Sequence, residues 1–446
     1  MIRPVLFSLS LWLPLMVQAE QVSFCKDIAP ILVAQCQSCH GGNKVKGDYR
    51  VDTYARAMKA GSSELPAFVA HRLDESEAYF RLTAEDEGDR MPAKSDPLLQ
   101  EQIALFKRWI EEGATFDGDD PFANLSTKIP ERSHPKAPEH YAMPVPVTAL
   151  AFTPGGDALY VSGHHEITVW SCQDGTLLRR IGNQGERTLA LAMHPREPWL
   201  AAAGGNPGRL GELRVFHRDT GELLHILAKA NDVVLCAAFS PSGNLLAVGG
   251  ADGVIRLYQV PHFEDILSLT NHSDWITALA WNASGDRLVS GSRDKTSKVF
   301  QLPKGNRLIT YAGHEKAVNG VFYHPLKDNV FSTSADGSLD QWKVEDGKRQ
   351  RQLSDGLQRA FSLSLSKAHL FITSSKTEVE MFELENGKRT ATLAGPHQNW
   401  ITSSAFDPQN NRLATGDHDG MVCLWDIRSR KLLHSFVANP QKTSKP

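Results

Sequence analysis

The sequence predicts two domains of different class: a small all-α domain, then an all-β propeller of seven four-stranded blades. Three observations predict this. Residues 20–117 carry apolar side chains at helical spacing, residues 118–144 are rich in proline, and from 145 a strand pattern repeats about every 42 residues. The 446 residues carry a formal net charge of −3 and a composition ordinary for a soluble globular protein.

The amino terminus reads as a secretion signal, residues 1–19. Arg3 precedes an apolar run from Val5 to Val17, and Val17-Gln18-Ala19 offers a small-x-small cleavage pattern before Glu20. As a membrane anchor the run is short of the roughly 20 residues a span needs, and Ser8, Ser10 and Pro14 interrupt it. No later segment is long and apolar enough to cross a bilayer. Cys25 lacks the apolar-small-small lead of a lipidated cysteine. The expected location is therefore periplasmic or otherwise exported.

Residues 20–117 form the helical domain. Phe24, Ile28, Ile31 and Leu32 give the first helix, about Phe24 to Gln37, one apolar face. It leads into Cys36-Gln37-Ser38-Cys39-His40, the C-x-x-C-H pattern of covalent haem attachment. Two thiols can add across the haem vinyl groups, and the adjacent imidazole can reach the iron from the same side. A redox dithiol or half of a zinc site are the competing readings. A zinc site needs two further ligands nearby, and no second C-x-x-C exists. A dithiol of the thioredoxin type needs a βαβ context that the neighbouring residues do not suggest. Haem c is attached outside the cytoplasmic membrane, so the export signal and the motif support each other.

A second helix is expected from Glu75 to Leu82, with Tyr79, Phe80 and Leu82 in the core or against the haem. A last helix, about Pro97 to Gly113, carries Leu99, Ile103, Phe106 and Ile110 at helical spacing with Trp109 beside them. Between them, Met91 in Asp89-Arg90-Met91-Pro92 is the candidate sixth ligand of the iron: a soft, neutral thioether that favours ferrous iron. Met58, in a helical stretch, suits packing. The competing reading leaves the iron five-coordinate with Met91 in the core. Of the other cysteines, Cys236 and Cys423 sit in apolar strand patterns as buried thiols, and no disulfide framework is visible.

The lead FCKDIAPILVAQCQSCHGG, the middle SEAYFRLT and the segment RMPAKSDPLLQEQIALFKRWIEEGA resemble the planctomycete-type cytochrome c domain, a diverged class I cytochrome, over about 90 residues. The resemblance implies one covalent haem c on Cys36 and Cys39, with His40 as proximal and Met91 as distal ligand. Ala93 stands where such proteins usually have proline.

After the proline-rich linker, residues 145–438 contain seven units. The first begins at Val147 and the last at Ile401, and each has four short strands. Their third strands carry an aromatic at a matching place: Trp170, Phe216, Tyr258, Phe300, Trp342, Phe382 and Trp425. These units resemble WD40 repeats, and Trp425-Asp426 is a literal WD pair. By that resemblance His272, His314 and His397 join turn aspartates, read as Asp252, Asp294, Asp336 and Asp419, in hydrogen-bonded networks rather than as metal ligands. Residues 439–446 read as a flexible tail.

Such a fold says little about function. Loops on one face should hold His164, His165, Arg209, Arg293, Lys376 and His418, with Trp275 and Trp400 at the lip. These are either anchors for a protein redox partner or packed on their own blades. Residues 20–120 hold 12 basic and 19 acidic residues, and Glu85, Asp86, Glu87 and Asp89 cluster just before Met91. That cluster is either a solvated loop or a rim for a basic partner.

The leading reading is an exported electron-transfer cytochrome with the propeller as docking scaffold and no catalytic residues of its own. The alternatives are a periplasmic oxidoreductase with a further cofactor or substrate site on the propeller, and a haem-based redox sensor. No nucleic-acid partner and no transmembrane span are expected.

Overall fold

The computed structural model describes residues 21–41, 44–93, 96–125, 134–230, 232–354 and 359–439. The signal at 1–19 lies outside them, as does the expected tail apart from its first residue, Asn439, which is buried and donates from Nδ2 to the Val145 carbonyl at 3.3 Å. The chain divides into two compact units, residues 1–132 and 133–446. No described helix is long and apolar enough to cross a membrane.

The first unit is helical. Its leading helical run extends from Phe24 to His40, capped by Ser23, whose hydroxyl accepts from Lys26 N at 2.9 Å. Two wide π-type turns, Phe24–Ile28 and Leu32–Cys36, flank the α-helical Ala29–Ile31. Pro30 sits between them and has no N–H to donate, one of the few causes of such a shift in the helical ladder. The predicted face, Phe24, Ile28, Ile31 and Leu32, is buried. The first and last helices meet where Phe24 lies 5.3 Å from Trp109, ring centroid to centroid. Phe68 then stacks on Phe106 at 5.8 Å. Met58 packs against this core as expected.

Two expectations need correction. The last helix is Gln100–Glu111, and Leu99 is its exposed cap, with extended backbone, donating from its N–H to the Gln102 side chain at 3.1 Å. Leu98 takes the core position instead. The middle helix is Glu77–Thr83, and Phe80 is 61% exposed. Leu82 faces the core two residues later, about 200° around a helix, so Phe80 faces water.

The second unit is seven four-stranded antiparallel sheets, each a simple meander in chain order. Blade 1 comprises Leu150–Phe152, Ala158–Ser162, Ile167–Ser171 and Leu177–Ile181; blade 7 ends with Lys431–Val437. Second and third strands are buried almost throughout, because neighbouring blades cover both faces. Fourth strands lie on the rim and are largely exposed. Blades 2 and 6 have lost most of the repeat's signature yet keep all four strands. Blade 2 is lengthened by the hairpin Trp199–Asn206 and Leu210–His217. Gly204 is required there, since a Cβ would lie 1.9 Å from the Arg187 carbonyl oxygen.

The ring closes between blades 7 and 1. Thr402 and Ser403 hydroxyls donate to the Val147 carbonyl at 2.6 and 2.8 Å, and Val147 N donates to Asp417 O at 3.0 Å. Residues 134–146 belong to this unit. Tyr141 is buried and donates to Glu166 at 2.5 Å, while Arg180 binds the same carboxylate at 2.7 Å. His134 binds the Glu212 carboxylate, which also holds the fully buried Arg214 at 2.7 Å.

Burial holds the imidazoles of His272 and His314 below their ordinary pKa of 6.5. Below 6.5 the unfolded chain takes up protons that the folded propeller does not, so acid favours unfolding. Above 6.5 both states bind the same number and the effect disappears. Thermal unfolding of the propeller should therefore be nearly flat with pH above neutrality and fall as pH drops through 6. Each such histidine contributes up to about 1.4 kcal/mol per pH unit. Calorimetry across this range checks it.

Candidate haem site

The helical run ends at the motif: Cys36 closes the turn Leu32–Cys36, and Cys39 and His40 lie on the last turn, Gln37–His40. The chain then reverses, and Val51 N donates to the His40 carbonyl at 2.8 Å. This brings the Tyr49 carbonyl within 3.3 Å of His40 Nδ1. A carbonyl can only accept, so Nδ1 carries the proton and Nε2 keeps its lone pair for a metal. The Tyr49 ring lies edge-on to His40 at 5.4 Å, and its hydroxyl is fixed by donation to Ala57 O at 2.8 Å.

Met91 comes from the loop after Glu77–Thr83. Its N–H donates to Arg81 O at 2.9 Å, and a turn in which Asp86 O accepts from Arg90 N at 2.9 Å shapes the approach. Glu85, Asp86, Glu87 and Asp89 are all exposed. Arg90 Nε is buried without a partner among the described residues.

Cys36, Cys39, His40 and Met91 line one cavity of about 320 Å³. Leu32, Val51, Phe68, Leu82 and Phe106 form its apolar wall. The size is that of a pocket for a small organic cofactor. The donor set fits haem: two thiols at the spacing for thioether bonds, an imidazole with a free Nε2, a thioether, and apolar walls for a macrocycle. The competing chemistries fit poorly. Burial, then the neighbouring Cys39, pushes the Cys36 thiol up to about 12, whereas a reactive dithiol needs a lowered value. Among the described residues no group of three or more His, Cys, Asp or Glu side chains is placed to hold a metal ion.

On the propeller the histidines build the expected networks, with one exchange of partner. His272 binds Asp294 at 2.7 Å and Ser290 at 2.7 Å. His314 binds Ser332 at 2.7 Å and reaches Asp336 through Ser338. In blade 7, His397 binds Asp417 at 2.9 Å and Thr415 at 2.8 Å, and Trp425 Nε1 donates to Thr415. Asp419 aligns with Asp294 and Asp336 in sequence but sits out on the turn, accepting from Asn399 at 3.1 Å. Asp417 displaces it because it stands at the buried end of the strand Arg412–Asp417. Asp252 pairs with Arg256 at 2.6 Å, in a blade without the histidine.

The expected face residues divide. Trp400 is 49% exposed, stacked at 6.0 Å on Phe361 and edge-on to His418. Arg293 is exposed, lies 4.0 Å above the half-buried Trp275 ring and is steadied by Asp274 at 2.8 Å. Arg209 is exposed on its turn. Others are committed to the propeller itself. Lys376 donates to Glu380 at 2.8 Å. His164 and His165 are half-buried and pack 4.4 Å apart, and His165 Nδ1 donates to Gln184 O at 3.2 Å. Cys172, Cys236 and Cys423 are buried in the blades.

Comparison with known proteins matches both units. The family model for planctomycete cytochrome C covers residues 36–95, from the first motif cysteine past Met91. The model for the WD domain, G-beta repeat, covers 221–259, 263–301, 305–343 and 387–426. A segment of 56 residues is 41% identical to the small ribosomal subunit protein RACK1z of Arabidopsis thaliana and to RACK1 of Brassica napus. It covers 13% of this chain and 17% of each relative, so the match spans under a fifth of the curated proteins' length. The chain thus joins a planctomycete-type cytochrome c domain to a seven-bladed WD40 propeller.

Proposed function

We propose that this protein is an exported cytochrome that carries electrons on one covalently bound haem c, with the propeller as the scaffold for its partner. One observation carries the reading: the two motif cysteines, an imidazole with its Nε2 left free and Met91 all line a single apolar cavity. Haem, when bound, supplies one-electron iron chemistry. The residues do the rest. Cys36 and Cys39 fix the macrocycle, the Tyr49 carbonyl sets the tautomer and angle of His40, and the turn before Met91 presents its sulfur. Leu32, Phe68 and Phe106 keep water from the ring. His40 and Met91 would hold the iron between them, so the site would pass electrons and offer no open position to a substrate. Attachment of haem c requires export, in keeping with cleavage after Ala19. Trp400 and the Arg293–Trp275 pair are the docking groups we assign to a protein redox partner.

The test is carbon monoxide added to the reduced full chain. An unchanged spectrum is expected. Rapid binding would mean an open iron, and a sensing or catalytic role in place of electron transfer.

A further inference from the structure

Among the described residues two cationic side chains line the haem cavity, Lys46 and Arg81. Arg81 is already engaged, its guanidinium 2.8 Å from Glu77 one helical turn away. Lys46 is exposed and has no ion pair among the described residues. It stands on a rim completed by Ser62 and Ser63, both exposed hydroxyls lining the same cavity. The rim is built rather than incidental. Ser62 N donates to Gly47 O at 2.7 Å, Gly47 turns with φ +63°, and a Cβ on Gly61 would lie 2.6 Å from that same Gly47 oxygen. Glycine at 61 lets the two segments close on each other and hold Lys46 beside the serines.

Resting on the haem reading above, we propose that the Lys46–Ser62–Ser63 rim receives the two carboxylates of the haem. A haem carries both carboxylates on one edge. Burying them in the apolar wall of Leu32, Phe68 and Phe106 would cost several kcal/mol each. At this rim they remain near water, one paired with the Lys46 ammonium and both within reach of hydroxyl donors. The assignment fixes which edge of the macrocycle faces solvent. Lys46 becomes a positioning residue that also acts on the iron: a nearby positive charge disfavours the ferric state, which carries one more charge than the ferrous.

The experiment is a redox titration of the full-length haem-loaded protein. Lys46→Gln should lower the midpoint potential, Lys46→Glu should lower it further, and Lys46→Arg should restore most of it. The double change Ser62→Ala, Ser63→Ala should give a smaller fall. Lys26→Gln, an exposed lysine that does not line the cavity, should leave the potential unchanged. If the Lys46 variants hold covalent, low-spin haem at the wild-type potential, the carboxylate assignment is wrong. It is equally wrong if Arg81→Gln produces the fall and Lys46→Gln does not. Absence of covalent haem from the wild type would overturn the haem reading itself, a result separable from either of these.

Discussion

Replacing Cys36 and Cys39 together with alanine should abolish covalent haem: no haem should remain with the polypeptide after denaturation in acid and organic solvent. On the proposed attachment each sulfur would form one thioether bond, so either single change should leave a haem held by one bond. Loss should be specific to the first unit. The propeller draws its core from residues 147–438 and should unfold at the wild-type temperature in the haem-free protein. Intact mass and calorimetry of the three variants check both halves. The apo form should also react slowly with alkylating reagents at neutral pH, because the Cys36 thiol is pushed up to about 12.

The largest stability effect is expected at Trp342. It is fully buried in blade 5, stacked on Tyr311 at 5.0 Å with rings 6° apart, and its Nε1 donates to Ser332 at 3.1 Å. Ser332 is also bound by His314, so the ring, the hydroxyl and the imidazole form one buried unit. Trp342→Ala removes the ring and strips a partner from that hydroxyl. The expected cost is about 3–5 kcal/mol, measured by denaturant unfolding. Trp400→Ala supplies the contrast. With half its surface in water, Trp400 should change stability by no more than about 0.5 kcal/mol while weakening the partner contact assigned to it.

How much the sequence discloses follows from what each feature demands. The proposed haem ligands are legible because the attachment chemistry dictates both residue type and spacing, and Cys36, Cys39 and His40 stand at that spacing at the end of one helical run. The Tyr49 carbonyl that orients His40 is not legible, since every residue has a carbonyl and only the fold selects one. The seven blades are legible from their period, including blades 2 and 6, because burial between neighbours enforces apolar middle strands even where the signature residues have gone. The exchange of Asp419 for Asp417 is hidden because the two stand only two residues apart, Asp417 at the strand end and Asp419 on the turn after it, and burial decides between them. Leu99 and Phe80 mislead for a related reason. Periodicity tells which residues share a face, but not where a cap begins or which of two faces meets the core. His134 and Tyr141 are masked by the prolines around them, which read as linker although both side chains reach carboxylates in the blades.

The central claim is that His40 and Met91 close the iron from both sides. Its most direct test is the spin state of the oxidised full-length protein beside that of Met91→Ala. Low-spin iron in the wild type and high-spin iron in the variant, with haem still covalent in both, is the predicted result. A high-spin wild type, or a Met91→Ala spectrum identical to it, would contradict the account.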